Sequence, residues 1–263
     1  MKQNAITTPA RRAWNAVILT TDRDTETVSA PSSCPHEELA LAAGAETLAA
    51  DILRSAPAQP VHTLVLHGAG QGDRQRQWPL RQALAARGCA SAAIDFSGHG
   101  HSSALLPNSL SKRLDEAQAA LDRFTLAPRT IVGVSMSGEI ALRLACRAEN
   151  EIAHVVTLVG ALYDAAAFTL PFGPAFSAAL RRPHSWRDAE VLQMIRHYRG
   201  RLTLVRASED AVIPAEIAEL IRQHATAASA CRIIDLPGVD HRVSERSAQD
   251  AALCARLAAL ITD

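Results

Sequence analysis

The sequence predicts an α/β protein in three layers, a mainly parallel sheet covered by helices on both faces. Two observations carry that expectation. From about residue 61 onward, short β-branched apolar runs alternate with longer amphipathic ones, the beat of strand–helix–strand units. And with 48% of its 263 residues hydrophobic and 21% charged, the chain holds enough apolar material for a full core.

Taken in order, Glu37–Leu41 and Thr47–Leu53 flank a Gly44-containing segment and read as an antiparallel hairpin on the sheet edge. Trp14–Thr20 is a further strand candidate without an assigned place, within an N-terminal extension set at residues 1–36. Val61–Leu66 is a strand halted by His67-Gly68-Ala69-Gly70, and Leu80–Arg87 has helical apolar spacing and stops at Gly88. Then come strand Ala90–Phe96, helix Leu114–Phe124, strand Thr130–Val134, helix Glu139–Arg147 and strand His154–Val159. Residues 161–185 break the rhythm with Pro171, Pro174 and Pro183, and read as a small cap insertion over the sheet's edge. Its aromatics, Tyr163, Phe168, Phe172 and Phe176, suit packing better than a pocket wall, since apolar spacing usually marks core. Helix Asp188–Tyr198, strand Leu202–Ala207, helix Pro214–His224, strand Cys231–Leu236 and helix Ser247–Ile261 close the pattern, all read as one domain.

Charge and composition exclude several classes. Lysines and arginines number 27, matched by 27 acidic residues, so nothing marks a nucleic-acid or anionic-membrane surface. No segment approaches the roughly 18–20 apolar residues of a membrane helix, and the first residues lack the apolar stretch of a secretion signal. Cys34, Cys89, Cys146, Cys231 and Cys254 are scattered and odd in number, as reduced thiols in a cytoplasmic protein are. That scatter also argues against a zinc site. The expected partner is a small molecule, and no metal is expected.

The chemistry concentrates where strands end, because ligands bind outside the carboxyl ends of parallel strands. Ile131-Val132-Gly133-Val134 runs into Ser135-Met136-Ser137-Gly138-Glu139, a strand turning at once into a helix. A serine on so tight a turn needs small neighbours two residues either side, here Gly133 and Ser137. Ser137 is the poorer nucleophile, since a hydroxyl in a first helical turn usually caps or packs. Ser135 requires a base, and His241 lies in a loop directly after the last strand, unlike helical His197 and His224. Asp210 follows Leu202–Ala207 and is the candidate acid, with adjacent Glu209 as the alternative. Ala69, in the side-chain-poor HGAG loop, and Met136, after the serine, are the candidate N–H donors for an oxyanion.

Five segments, Leu66-His67-Gly68, the DFSGHGHS turn at 95–102, GVSMSG, SEDAVIP and PGVDH, together resemble landmarks of the α/β-hydrolase superfamily, in register from about residue 37 to the C-terminus. The resemblance implies an eight-stranded sheet with one antiparallel strand, a Ser…Asp…His order, no cofactor and ester-type substrates. It also implies that Asp95, His99 and His101 are architectural. Thioester cleavage, carbon–carbon hydrolysis and acyl transfer use the same residues in that superfamily, and a non-catalytic binding module is the remaining alternative. Ser137 stands where a glycine is commoner. The cap is short beside those of lid-bearing lipases, which argues against long-chain lipids. Arg74 and Arg76, in the polar stretch 72–78, either meet a substrate carboxylate or are solvated surface residues, the second being favoured.

Overall fold

The computed structural model describes residues 34–263; Trp14–Thr20 and most of the 1–36 extension lie outside the described residues. The strands are β1 (His36–Ala43), β2 (Glu46–Leu53), β3 (Thr63–Leu66), β4 (Ser91–Ile94), β5 (Arg129–Val134), β6 (Ile152–Leu158), β7 (Arg201–Ala207) and β8 (Ala230–Leu236). They form one eight-stranded sheet in the order β1-β2-β4-β3-β5-β6-β7-β8. Only β2 runs against its neighbours, pairing antiparallel with both β1 and β4. The hairpin closes at Gly44, whose φ of 59° is a left-handed turn that suits glycine.

Period-two alternation along the strands divides the interior into two cores. Leu64, Leu66, Ile131, Val155, Leu202 and Leu204 face one side. Val65, Val132, Val156, Val205 and Ala207 face the other. The first core is covered by α2 (Leu110–Phe124), α3 (Ser137–Ala145) and α7 (Glu216–His224), the second by α1 (Trp78–Ala86), α8 (Val243–Gln249) and α9 (Ala251–Thr262). Strands buried on both faces read as continuous apolar runs, which is why the alternation with helices was visible in sequence.

Three expectations are corrected. The last helix is two, parted at Asp250, whose extended backbone (φ −125°, ψ 96°) frees its carboxylate to cap Leu253 N–H. Between residues 188 and 198 only α6 (Val191–Met194) is α-helical, because Ala189 is extended and a tighter turn, Ile195–His197, follows. The insertion rises between β6 and β7, which lie inside the sheet rather than at its edge. It contributes two short helices, α4 (Ala165–Phe168) and α5 (Pro174–Leu180). Tyr163, Phe168 and Phe176 are buried in the first core and Phe172 packs against it, so packing is their main role.

Candidate active site

The carboxyl ends of β3, β5, β7 and β8 meet at one cavity of about 460 Å3. Ser135 sits at the turn from β5 into α3 with φ of 48°, a left-handed backbone that a non-glycine residue adopts only where the surroundings impose it. The surroundings do impose it. A Cβ on Gly133 would stand 2.2 Å from the Ser137 carbonyl oxygen, and one on Gly138 would stand 2.6 Å from Gly160 Cα. The Ser135 carbonyl is held by the N–H groups of Gly138 (2.9 Å) and Ala161 (3.0 Å). Ser137 is fully buried and donates its hydroxyl to the His67 carbonyl at 2.5 Å, so it has no access to a ligand.

Ser135 Oγ lies 3.0 Å from His241 Nε2, and His241 Nδ1 lies 2.9 Å from Asp210 Oδ2. A carboxylate only accepts, so Nδ1 carries the proton and Nε2 is left to accept from the serine. Asp210 is itself fixed: its Oδ1 accepts from Val212 N–H (2.8 Å) and Ile213 N–H (2.9 Å). Its loop is zipped to that of His241, since Ser208 N–H donates to Leu236 and Glu209 N–H to Val239. Those two bonds extend the β7–β8 pairing past its last pair, Ala207 with Leu236. Glu209 is exposed and makes no side-chain bond to His241. The structure thus brings Ser135, His241 and Asp210 together and leaves Glu209 and Ser137 aside.

Gly68, Ala69 and Met136 line the cavity beside Ser135. A Cβ on Gly68 would come 3.2 Å from Ser135 Cβ, so the loop after β3 passes against the serine. Among the described residues neither Ala69 N–H nor Met136 N–H has a hydrogen-bond partner. Both candidate donors therefore belong to cavity-lining residues and are unengaged. The opposite wall is apolar, formed by Leu162, Tyr163, Leu180, Trp186, Val212 and Ile213.

The stretch 72–78 differs from expectation. Arg74 is 4% exposed, not solvated. Its Nε bonds Asp51 at 3.0 Å, its Nη1 pairs with Asp95, and its own N–H donates to Asp95 at 2.7 Å. Buried Arg81 pairs with the other Asp51 oxygen. Two arginines and two aspartates thus balance one another beneath the loop, the arrangement that buried charge requires. Arg76 remains at the cavity rim, half exposed and paired with Glu245. Asp95 also accepts His101 N–H at 3.0 Å, as an architectural turn residue would.

Sequence reasoning passed over Glu139. It is fully buried in the first turn of α3, bonded to Arg143 at 2.8 Å and to Tyr163 N–H at 2.6 Å. Burial pushes its carboxyl up to about 7 against the pull of Arg143. Arg143 lies over the Phe168 ring at 3.7 Å and pairs with Glu190, so this pair clamps the insertion to α3. An i, i+4 Glu–Arg pair inside an otherwise apolar helix was the available signal. Among the described residues, no group of three or more His, Cys, Asp or Glu side chains is arranged to hold a metal ion. No described helix is long and apolar enough to cross a membrane.

An open eight-stranded sheet with a strained serine elbow at β5 is the architecture of α/β hydrolases. Residues 62–194 match the model of the alpha/beta hydrolase fold family, and the chain belongs to it. No curated protein matches the chain. Among solved structures, the thioesterase domain from the curacin biosynthetic pathway is 21% identical with a TM-score of 0.66, over 87% of this chain and 100% of that one. The enol-lactonase from Burkholderia xenovorans is 16% identical with a TM-score of 0.64, over 86% and 100%. An esterase from Pyrococcus furiosus is 16% identical with a TM-score of 0.62, over 87% and 92%. At such identities the likeness is one of fold.

Proposed function

We propose that this protein is a serine hydrolase acting on carboxylic esters of small or medium acyl groups. The observation that carries the reading is the unbroken line Ser135 Oγ, His241, Asp210, with bonds of 3.0 and 2.9 Å, opening into a cavity. His241 Nε2 takes the Ser135 proton as Oγ attacks the acyl carbon, and Asp210 stabilises the imidazolium that results. The Ala69 and Met136 N–H groups hold the oxyanion. His241 then returns the proton to the departing alkoxide. Water, deprotonated by the same nitrogen, attacks the acyl-enzyme and releases the acid. Free cysteines support a reducing, cytoplasmic setting.

The test is a fluorophosphonate probe with mass mapping, beside turnover of p-nitrophenyl esters and matched thioesters. We expect labelling at Ser135. Ser135→Ala should fold, lose labelling and lose several powers of ten in rate. An active Ser135→Ala protein, with Ser137→Ala inactive, overturns the assignment. Faster release from thioesters than from matched oxygen esters would move the substrate class to thioesters.

A further inference from the structure

Arg113, on α2, is 1% exposed, and no ion pair engages it among the described residues. An isolated buried guanidinium is costly, so what it faces matters. One amino group, Nη1, donates to the Gly68 carbonyl at 3.2 Å. The other, Nη2, donates to His99 Nε2 at 2.8 Å, and Nε has no partner. The rings of Phe96 and Phe172 lie 4.7 and 5.4 Å from the guanidinium carbon and shield it.

The Gly68 carbonyl belongs to the same peptide unit as the Ala69 N–H. That carbonyl accepts a second bond, from His67 Nδ1 at 2.7 Å, while His67 Nε2 accepts Phe96 N–H at 3.0 Å. Both contacts of His67 require the neutral ring with its proton on Nδ1. Burial beside Arg113 keeps it neutral by holding its pKa well below the usual histidine range. His99 is held down likewise, by burial and then by Arg113. Glu116, one turn further along the helix, accepts Ser97 N–H at 3.1 Å and lies 4.0 Å from Lys112 Nζ, while burial raises its pKa. The guanidinium is thus set behind the Gly68–Ala69 peptide, with Gly68 and Ala69 lining the cavity on its other side.

We propose that Arg113 is a positioning residue for the oxyanion site: it holds and polarises the Gly68–Ala69 peptide so that Ala69 N–H donates more strongly to charge developing on the substrate. This rests on the reading of Ser135 as an acyl-attacking nucleophile. A peptide whose carbonyl accepts from charged and neutral donors becomes a better N–H donor, because hydrogen bonds in a chain polarise one another. The sign also fits, since a buried positive charge favours a nearby anion far more than it favours the carbonyl dipole of a neutral ester. The stabilisation is thus larger in the transition state than in the bound ester, and the difference appears in kcat.

The experiment compares wild type, Arg113→Met and Arg113→Lys, with active sites titrated by fluorophosphonate so that rates are per reactive serine. Arg113→Met should lower kcat about 10- to 100-fold, less than the roughly 10²–10³-fold for removing a donor outright. KM should stay within about threefold. Affinity for a trifluoromethyl ketone, whose adduct carries an oxyanion, should fall with kcat. The Tm should hold or rise, because methionine removes an unpaired buried charge. Arg113→Lys keeps the charge and should recover part of the rate; it carries the same measurements if the methionine variant does not fold. Unchanged kcat per labelled serine, or unchanged ketone affinity, overturns the proposal even if Tm falls. Absence of Ser135 labelling in wild type instead overturns the hydrolase reading, and this one with it.

Discussion

Two loops line the same cavity beside Ser135, and they are held by different physics. The elbow after β5 is fixed by backbone crowding: Gly133 against Ser137, Gly138 against Gly160, and Ser135 forced to positive φ between them. The loop after β3 is fixed by buried charge: Arg74 within it is held by Asp51 on β2 and Asp95 after β4, and Arg81 on α1 balances Asp51. Crowding needs only small residues a few positions apart. Charge needs partners assembled from three other segments, each desolvated, and it fails when one partner is lost. The elbow should therefore respond to added volume, and the β3 loop to removed charge.

The largest effect expected in this comparison comes from the β3 loop. Arg74→Met leaves Asp95 buried with only N–H donors, and should cost about 3–5 kcal/mol of stability. Urea unfolding with a constant m-value would measure it. A loss under about 1 kcal/mol would mean that the loop is held by its glycines, as the elbow is. Next in size is Gly133→Ala. Its methyl would meet Ser137 O at 2.2 Å, so the elbow has to open. We expect about 1–3 kcal/mol of destabilisation by overpacking. Displacement of Ser135 by an ångström should cost about 10²-fold in kcat. Retention of full fluorophosphonate reactivity would show that the turn adapts, and would remove the contrast between the loops.

The same contrast explains what the sequence made legible. Gly133, Ser135 and Ser137 lie within five residues, so the elbow's requirement for small neighbours can be read directly from spacing. His241 and Asp210 were readable because each follows a strand whose apolar run is plain, and strand ends are where a parallel sheet gathers its loops. Arg74 was not. Its partner Asp51 sits on a hairpin strand and Asp95 in a turn, and nothing local to Gly72-Asp73-Arg74 announces either. Arg113 left a signal that was overlooked: it shares the helical stripe of Leu110, Leu114 and Ala117, a core position for a cation. The break at Asp250 was hidden for another reason. Apolar spacing continues across it, and only the capping side chain marks the new start.

Beside the two loops the cavity has an apolar wall, and varying the length of a test ester there is the mildest way to sharpen the comparison. Leu162, Tyr163, Leu180 and Trp186 come from the excursion between β6 and β7, which has only the two short helices α4 and α5 before residue 185. Glu139 and Arg143 clamp that segment to α3, so it is held close over the serine rather than standing off as a mobile lid. A cavity of about 460 Å3, shared among acyl chain, leaving group and water, gives apolar contact to a limited number of methylenes. Each methylene that finds such contact contributes roughly 0.8 kcal/mol, close to fourfold in binding, and each that does not contributes nothing. We expect kcat/KM for p-nitrophenyl esters to rise from acetate, peak at short or medium chains and fall toward palmitate, in a series kept below micelle-forming concentrations. Because neither loop is touched, labelling of Ser135 by a small fluorophosphonate should be identical throughout. A maximum at palmitate would show that the clamped segment opens, and that the wall is less fixed than the two loops facing it.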